Sequence, residues 1–225
     1  MPPSIAENLA SIQAAIERAA ARAGREPGEV TIVGAVKTVP VDAIRTAFEL
    51  GVTNLGENFV RELRDRAPRF PDARWHYIGT LQSGTAHHVA DLADVVETLS
   101  SERATERLAR RAAAAGRTID ALIEVDFTGE RSGTPPERTA SLADRVASLE
   151  GLRLVGLMTV PPIPTRAEDS RASFARLREL RDRIRDTHAD VLELSMGMSL
   201  DYEVAVEEGA TMVRIGTALF GERPT

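Results

Sequence analysis

Eight short apolar runs rich in β-branched residues recur along the chain, at 30–36, 53–55, 74–78, 94–97, 119–126, 152–158, 191–195 and 212–215. Between them the apolar positions change period. The segments at about 41–50, 58–66, 83–91, 101–115, 136–149, 167–187 and 200–208 follow helical spacing. Ahead of the first run, Ile5, Leu9, Ile12 and Ile16 recur at intervals of four, three and four, which is one face of an additional helix. Gly51, Gly116 and Gly209 stand where helices end. Strand–helix alternation predicts a parallel sheet. Eight strands with no stretch that reads as a second domain predict an α/β fold, a single (β/α)8 TIM-type barrel with an extra N-terminal helix. This one domain spans 1–225, with the barrel proper at about 30–221. A doubly wound open sheet is the competing architecture, and the count of eight strands disfavours it. The most loop-like stretch is "TVPPIPTRAED", which holds Pro161, Pro162 and Pro164.

A barrel makes a directional claim, because function gathers at the C-terminal ends of its strands. Those ends carry Lys37; Glu57 and Asn58; Gly79 and Gln82; Asp126 and Thr128; Met158 and Thr159; Ser195 to Ser199; and Arg214, Gly216 and Thr217. Polar and small residues from scattered segments are thereby expected to meet at one edge.

Composition narrows the chemistry. The 225 residues are 43% hydrophobic and 28% charged, which is globular, and the formal charge of −6 argues against a nonspecific nucleic-acid binder. There is no cysteine, so thiolate chemistry and thiolate metal sites are excluded. The N-terminal segment does not read as a signal peptide, and no apolar run approaches the roughly 20 residues of a membrane span. A cytoplasmic setting without membrane or nucleic-acid partners is expected. No large exposed apolar stripe is evident, so a monomer is expected too. His87 and His88 are adjacent, about 100° apart on a helix, and are not expected to share a metal. Of the 28 Lys plus Arg, Lys37 is the one lysine. An amine at an apolar barrel mouth is partly desolvated, which favours its neutral form. Neutral lysine forms Schiff bases with aldehydes, whereas arginine keeps its proton. The competing reading is a surface lysine snorkelling to solvent.

Two further stretches point to an anion. In "LSMGMSLDYEVAVEEG" the chain passes through Gly197 into a helix after Ser199, and in "MVRIGTALFG" Gly216 and Thr217 follow the last strand. Helix N-termini after strands seven and eight bind phosphate in many barrels. Ser199 is open to plain helix capping as well. Arg214 shares a strand face with Gly216 and needs either a ligand or an internal carboxylate. Asn58 is either a helix N-cap or a ligand contact, and Glu57 is placed to pair with a barrel cation. Trp75, Tyr77 and Ile78 read as core and His76 as structural.

"AVKTVP", "LGENFVRE", "WHYIGTLQS", "GLMTVP" and "LSMGMSLDYEVAVEEGATMVRIGTALFG" closely resemble the motifs of the pyridoxal phosphate homeostasis proteins (YggS/PROSC type), over about residues 5–221. The resemblance implies the barrel fold of bacterial alanine racemase without that enzyme's second domain. It implies pyridoxal 5′-phosphate (PLP) as cofactor, held as an internal aldimine on Lys37. Ser199, Gly216 and Thr217 would bind the phosphate, Asn58 would line the ring, and Arg214 would face the pyridine nitrogen. Arginine only donates there, which weakens the ring as an electron sink. The implied role is PLP carriage and buffering without robust catalysis, with PLP-dependent apo-enzymes as transient partners. A racemase-like enzyme is the alternative, yet the chain has only Tyr77 and Tyr202 as tyrosines and no second lysine. A third possibility is an aldolase-type lysine acting on a sugar phosphate without cofactor. Family members usually carry lysines after the "LQSN" turn and before the Ser-Gly of "KSG". Here those places read Gly84-Thr85 and Arg131, and Thr80 replaces the more usual His or Pro. Transfer of the cofactor to a second lysine is therefore not expected.

Overall fold

The computed structural model describes residues 3–222. Strand β1 (Thr31–Ala35) pairs on one side with β2 (Asn54–Glu57) and on the other with β8 (Met212–Ile215). Between β2 and β8 run β3 (Arg74–Tyr77), β4 (Val95–Leu99), β5 (Ile119–Val125), β6 (Leu152–Thr159) and β7 (Glu193–Ser195). Every pairing is parallel, and the sheet closes in sequence order. The outer layer is α2 (Val41–Glu49), α3 (Val60–Arg66), α4 (Ala86–Leu92), α5 (Glu102–Ala114), α6 (Thr139–Ala147), α7 (Arg171–Arg185) and α8 (Tyr202–Glu207). A short α9 (Thr217–Phe220) follows β8 and has no counterpart in the apolar periodicity.

Alternation along each strand sorts its side chains. Leu55, Trp75, Tyr77, Val96, Ile123, Leu157 and Val213 join the main core under the helices. Inside the barrel lies a smaller apolar group of Val95, Leu122 and Met158. Most of what surrounds it there is polar, which sets this interior apart from the branched aliphatic filling common in such barrels. At the N-terminal end Asp120 pairs with Arg74 and Arg153 and closes the floor. Gly51, Gly116 and Gly209 follow α2, α5 and α8 with φ of 99°, 65° and 101°, as the helix-end reading requires.

The additional helix is α1 (Ile5–Arg22). Ser4 Oγ accepts from the Glu7 N–H at 3.2 Å, and the Ser4 N–H donates to Glu7 Oε2 at 2.7 Å, which closes a capping box. Leu9, Ile12 and Ile16 are buried, each contributing about 1.5–3 kcal/mol relative to remaining exposed. That face packs on α8 and α9. Asn8 Nδ2 donates to Leu219 O at 3.0 Å, and Arg25 Nη1 donates to Val206 O and Ala210 O, both at 2.9 Å. The N-terminal helix thus backs the two elements that follow β7 and β8.

Candidate functional site

Lys37 stands two residues beyond β1, half-buried at the C-terminal mouth. Its Nζ lies 5.0 Å from the centroid of the Phe59 ring, a cation–π contact. The Val39 N–H closes a tight turn onto Val36 O at 2.9 Å, with Lys37 and Thr38 at its centre. Gly216 flanks this strand end from β8: a Cβ on it would stand 3.6 Å from Ala35 O.

The segments after β7 and β8 meet. Ser199 Oγ accepts from the Ala218 N–H at 3.1 Å, so this hydroxyl caps α9 rather than α8. Helix α8 begins later than the spacing predicts, because Asp201 Oδ1 accepts from the Met198 N–H at 2.8 Å and turns the chain first. Gly197 in this turn has φ of 90°, and a Cβ there would fall 2.5 Å from the Ala205 Cβ. Ser199 and Thr217 are therefore juxtaposed through backbone, with the leading amides of α9 lacking partners inside their own helix. Asn58 follows β2. It is not the N-cap of α3, which is Phe59. Gly79 lets the Asn58 backbone approach closely, since a Cβ would lie 1.9 Å from Asn58 O. Asn58 and Phe59 border an open cavity of ≈ 580 Å³ with Tyr77, Thr80 and Gln82.

Beneath the mouth, a hydrogen-bonded chain crosses the barrel. Arg214 donates from Nη1 to Ser195 Oγ at 2.6 Å and from Nη2 to Thr159 O at 3.0 Å. Ser195 Oγ donates to Glu97, whose other oxygen contacts His76 Nδ1 at 2.7 Å. His76 Nε2 reaches Asn54 Oδ1 at 3.0 Å. Burial opposes charge on Glu97, but His76, Arg214 and Ser195 together hold its carboxyl below the usual range. As a carboxylate it only accepts, so His76 donates to it from Nδ1. Arg214 lies 3.8 Å from Glu97, an internal carboxylate of the kind that was one of the two partners open to it. Burial depresses the Arg214 pKa, against Glu97, Glu124 and Asp201. Burial also pushes Glu124 up, countered by Arg131 and Arg214.

Some strand-end residues take other roles. Asp126 accepts from the Thr128 N–H, the Thr128 hydroxyl and the Arg131 N–H, at 2.8, 2.7 and 2.8 Å, and so closes its own loop. Glu57 faces the helix layer, and the cation it pairs with is Arg66 of α3 rather than one in the barrel. Trp75 and Tyr77 lie in that layer as well, while His76 is the inward residue. The His87 and His88 rings stand 3.9 Å apart on the first turn of α4, tilted by 41° to one another. Sequence reasoning missed Glu97 and Arg66. The available signal for Glu97 was an acid inside the run "DVVETL", which needs a buried partner.

The structure thus presents a closed parallel barrel with one lysine just beyond β1, a Ser199–Ala218 contact between the segments that follow β7 and β8, and an arginine anchored below. The model of the family "Alanine racemase, N-terminal domain" matches residues 8–224. The Pyridoxal phosphate homeostasis protein of Aquifex aeolicus is 39% identical over 222 residues, covering 96% of this chain and 97% of that protein. Its Pseudomonas aeruginosa counterpart is 39% identical over 224 residues, covering 98% of this chain and 96% of the relative. Among solved structures, PipY of Synechococcus elongatus PCC7942 with PLP bound is 32% identical, with a TM-score of 0.85 over 97% of this chain and 100% of that one. The chain belongs to the pyridoxal phosphate homeostasis (YggS/PROSC type) family.

Proposed function

We propose that this protein binds PLP covalently, as a Schiff base on Lys37, and serves intracellular PLP homeostasis as a carrier or buffer without robust catalysis. The observation that carries this is the chain's one ε-amine standing half-buried two residues beyond β1, a strand end flanked from β8 by Gly216. The PLP-bound PipY structure, at 32% identity, supports the choice of cofactor.

The donor set fits the group. Ser199 supplies a hydroxyl and Gly216 and Thr217 supply amides for a phosphate dianion, at the positive end of α9. Asn58 lines the ring. Bound, the cofactor supplies an aldehyde that bonds reversibly to an amine and a pyridine ring that accepts electrons. Arg214 faces the pyridine nitrogen as a donor alone and keeps its own proton, so the ring nitrogen gains none from it. Ser195, Thr159 and Glu97 hold that guanidinium in place.

Turnover would need a second base. Burial pushes the Tyr77 phenol up to about 12, and it raises Tyr202 too, so neither readily gives a phenolate near neutral pH. In this role the protein acts as one PLP-binding domain and a cytoplasmic monomer, with PLP-dependent apo-enzymes as transient recipients.

Borohydride reduction followed by peptide mass spectrometry tests the assignment. One added cofactor is expected on the peptide containing Lys37, and the yellow chromophore is absent from Lys37→Ala. A colourless preparation that takes up no added PLP overturns the reading. Racemisation of amino acids by the pure protein overturns its non-catalytic part.

A further inference from the structure

We propose that Arg66 is a positioning residue for Lys37, acting through the carbonyls of Val36 and Val39 at the two ends of the lysine turn, an inference that rests on Lys37 being the attachment point. Thr38, next to Lys37, has φ of 60°, the one non-glycine residue with positive φ among the described residues. That place in a tight turn favours glycine, and a β-branched residue is costly there. Such a conformation persists where its surroundings over-determine it.

Arg66 supplies the constraint. Its Nη1 donates to Val36 O at 2.8 Å and its Nη2 to Val39 O at 3.0 Å, the carbonyls of the first and last residues of the turn. Nη1 also donates to Glu57 Oε2. The other Glu57 oxygen accepts from the Asn58 and Phe59 N–H groups, at 2.7 and 3.2 Å. One buried ion pair therefore grips two segments, the lysine turn after β1 and the Asn58–Phe59 corner after β2. The same corner carries the ring against which the Lys37 amine rests. Burial pushes the Glu57 carboxyl up, but all its partners are donors, and Arg66 and the two amides favour the carboxylate. A planar fork is what spans two carbonyls and a carboxylate; an ammonium group lacks that geometry.

The clamp matters because the covalent step is distance-sensitive. With the cofactor bound, the Nζ lone pair would add to the aldehyde carbon, the two hydrogens of the uncharged amine would leave with the carbonyl oxygen as water, and one C=N bond would replace one C=O. The phosphate is seated from β7 and β8, so the origin and direction of the lysine stem decide whether Nζ comes within about 3–3.5 Å of that carbon.

The test compares two phosphorylated probes on the full chain: PLP, and pyridoxine 5′-phosphate, which has an alcohol in place of the aldehyde and cannot bond to an amine. Arg66→Met is expected to weaken PLP binding about tenfold or more, since small misplacements of reacting groups have large effects. Binding of the alcohol falls less, within about twofold, because its phosphate contacts lie on the segments after β7 and β8 and only Asn58 is shared with the clamped corner. Arg66→Lys falls between wild type and Arg66→Met. Thr38→Gly, added to Arg66→Met, recovers part of the loss, because glycine adopts this φ freely. A general structural defect lowers both affinities alike. An unchanged PLP-to-alcohol ratio in Arg66→Met overturns the proposal, and if that variant does not fold the ratio in Arg66→Lys decides. Should wild type form no covalent adduct, the assignment of Lys37 fails, yet the clamp is still read by amide hydrogen exchange. The Val39 amide then exchanges about tenfold faster or more in Arg66→Met, and unchanged exchange overturns the clamp by itself.

Discussion

Glu97 carries its charge inside the barrel with no exposed surface. Three groups converge on it, and removing the charge strands them. Glu97→Gln is expected to destabilise the fold by roughly 3–5 kcal/mol, the range for breaking a buried ion pair, as read from urea unfolding. The pH dependence has a definite sign. The folded carboxyl lies below the ordinary value of 4.5, so its contribution is complete above that value and is lost as the pH falls through the lower folded pKa. Wild type therefore loses stability on acidification below pH 4.5, and Glu97→Gln, which cannot titrate, loses less over the same window. The place of Lys37 just beyond a strand, at the barrel mouth, was legible from the sequence because it ends an apolar run. Arg214 was legible because a charge in the last strand demands a partner. Glu97 and Arg66 were not, because the groups that satisfy each lie on elements distant in sequence: Ser195 and His76 for the one, and the carbonyls around Lys37 for the other.

At the scale of elements, α1 is the support for α8 and α9. Ser4→Ala removes the cap that starts it and is expected to cost about 1 kcal/mol, checked by thermal unfolding. Gly197→Ala acts from the other side. With φ of 90° and the Ala205 Cβ at 2.5 Å, the new methyl group forces the β7–α8 turn apart. A loss of roughly 1–3 kcal/mol is expected, together with weaker binding of the phosphorylated alcohol probe, measured by calorimetry. Helix α1 was plain from its repeat of Ile5, Leu9, Ile12 and Ile16. Helix α9 was invisible, since four residues do not make a period. The start of α8 was misjudged because Ser199 has the chemistry of an N-cap, while Asp201 makes the turn and Ser199 serves α9.

For the whole molecule, binding and stability are linked by mass action. PLP at a hundred times its dissociation constant is expected to add about 2.7 kcal/mol to stability. For a domain of this size that raises the melting temperature by roughly 5–10 °C. Lys37→Ala is expected to abolish most of the shift in differential scanning calorimetry. The barrel could be read from the chain because eight β-branched runs, separated by helical spacing, leave few topologies that close. Its polar interior could not. Inward and outward positions of β4 and β5 are equally buried, so burial pattern alone does not distinguish the lining from the helix layer.

The half-buried amine beside Phe59 has a practical corollary for anyone who wishes to label or immobilise this molecule. Guanidinium groups are inert to the usual acylating dyes and activated resins, and arginine supplies all the remaining side-chain cations except histidine. Beyond the α-amino group, such reagents have one destination, so conjugating the ε-amine blocks the mouth of the barrel.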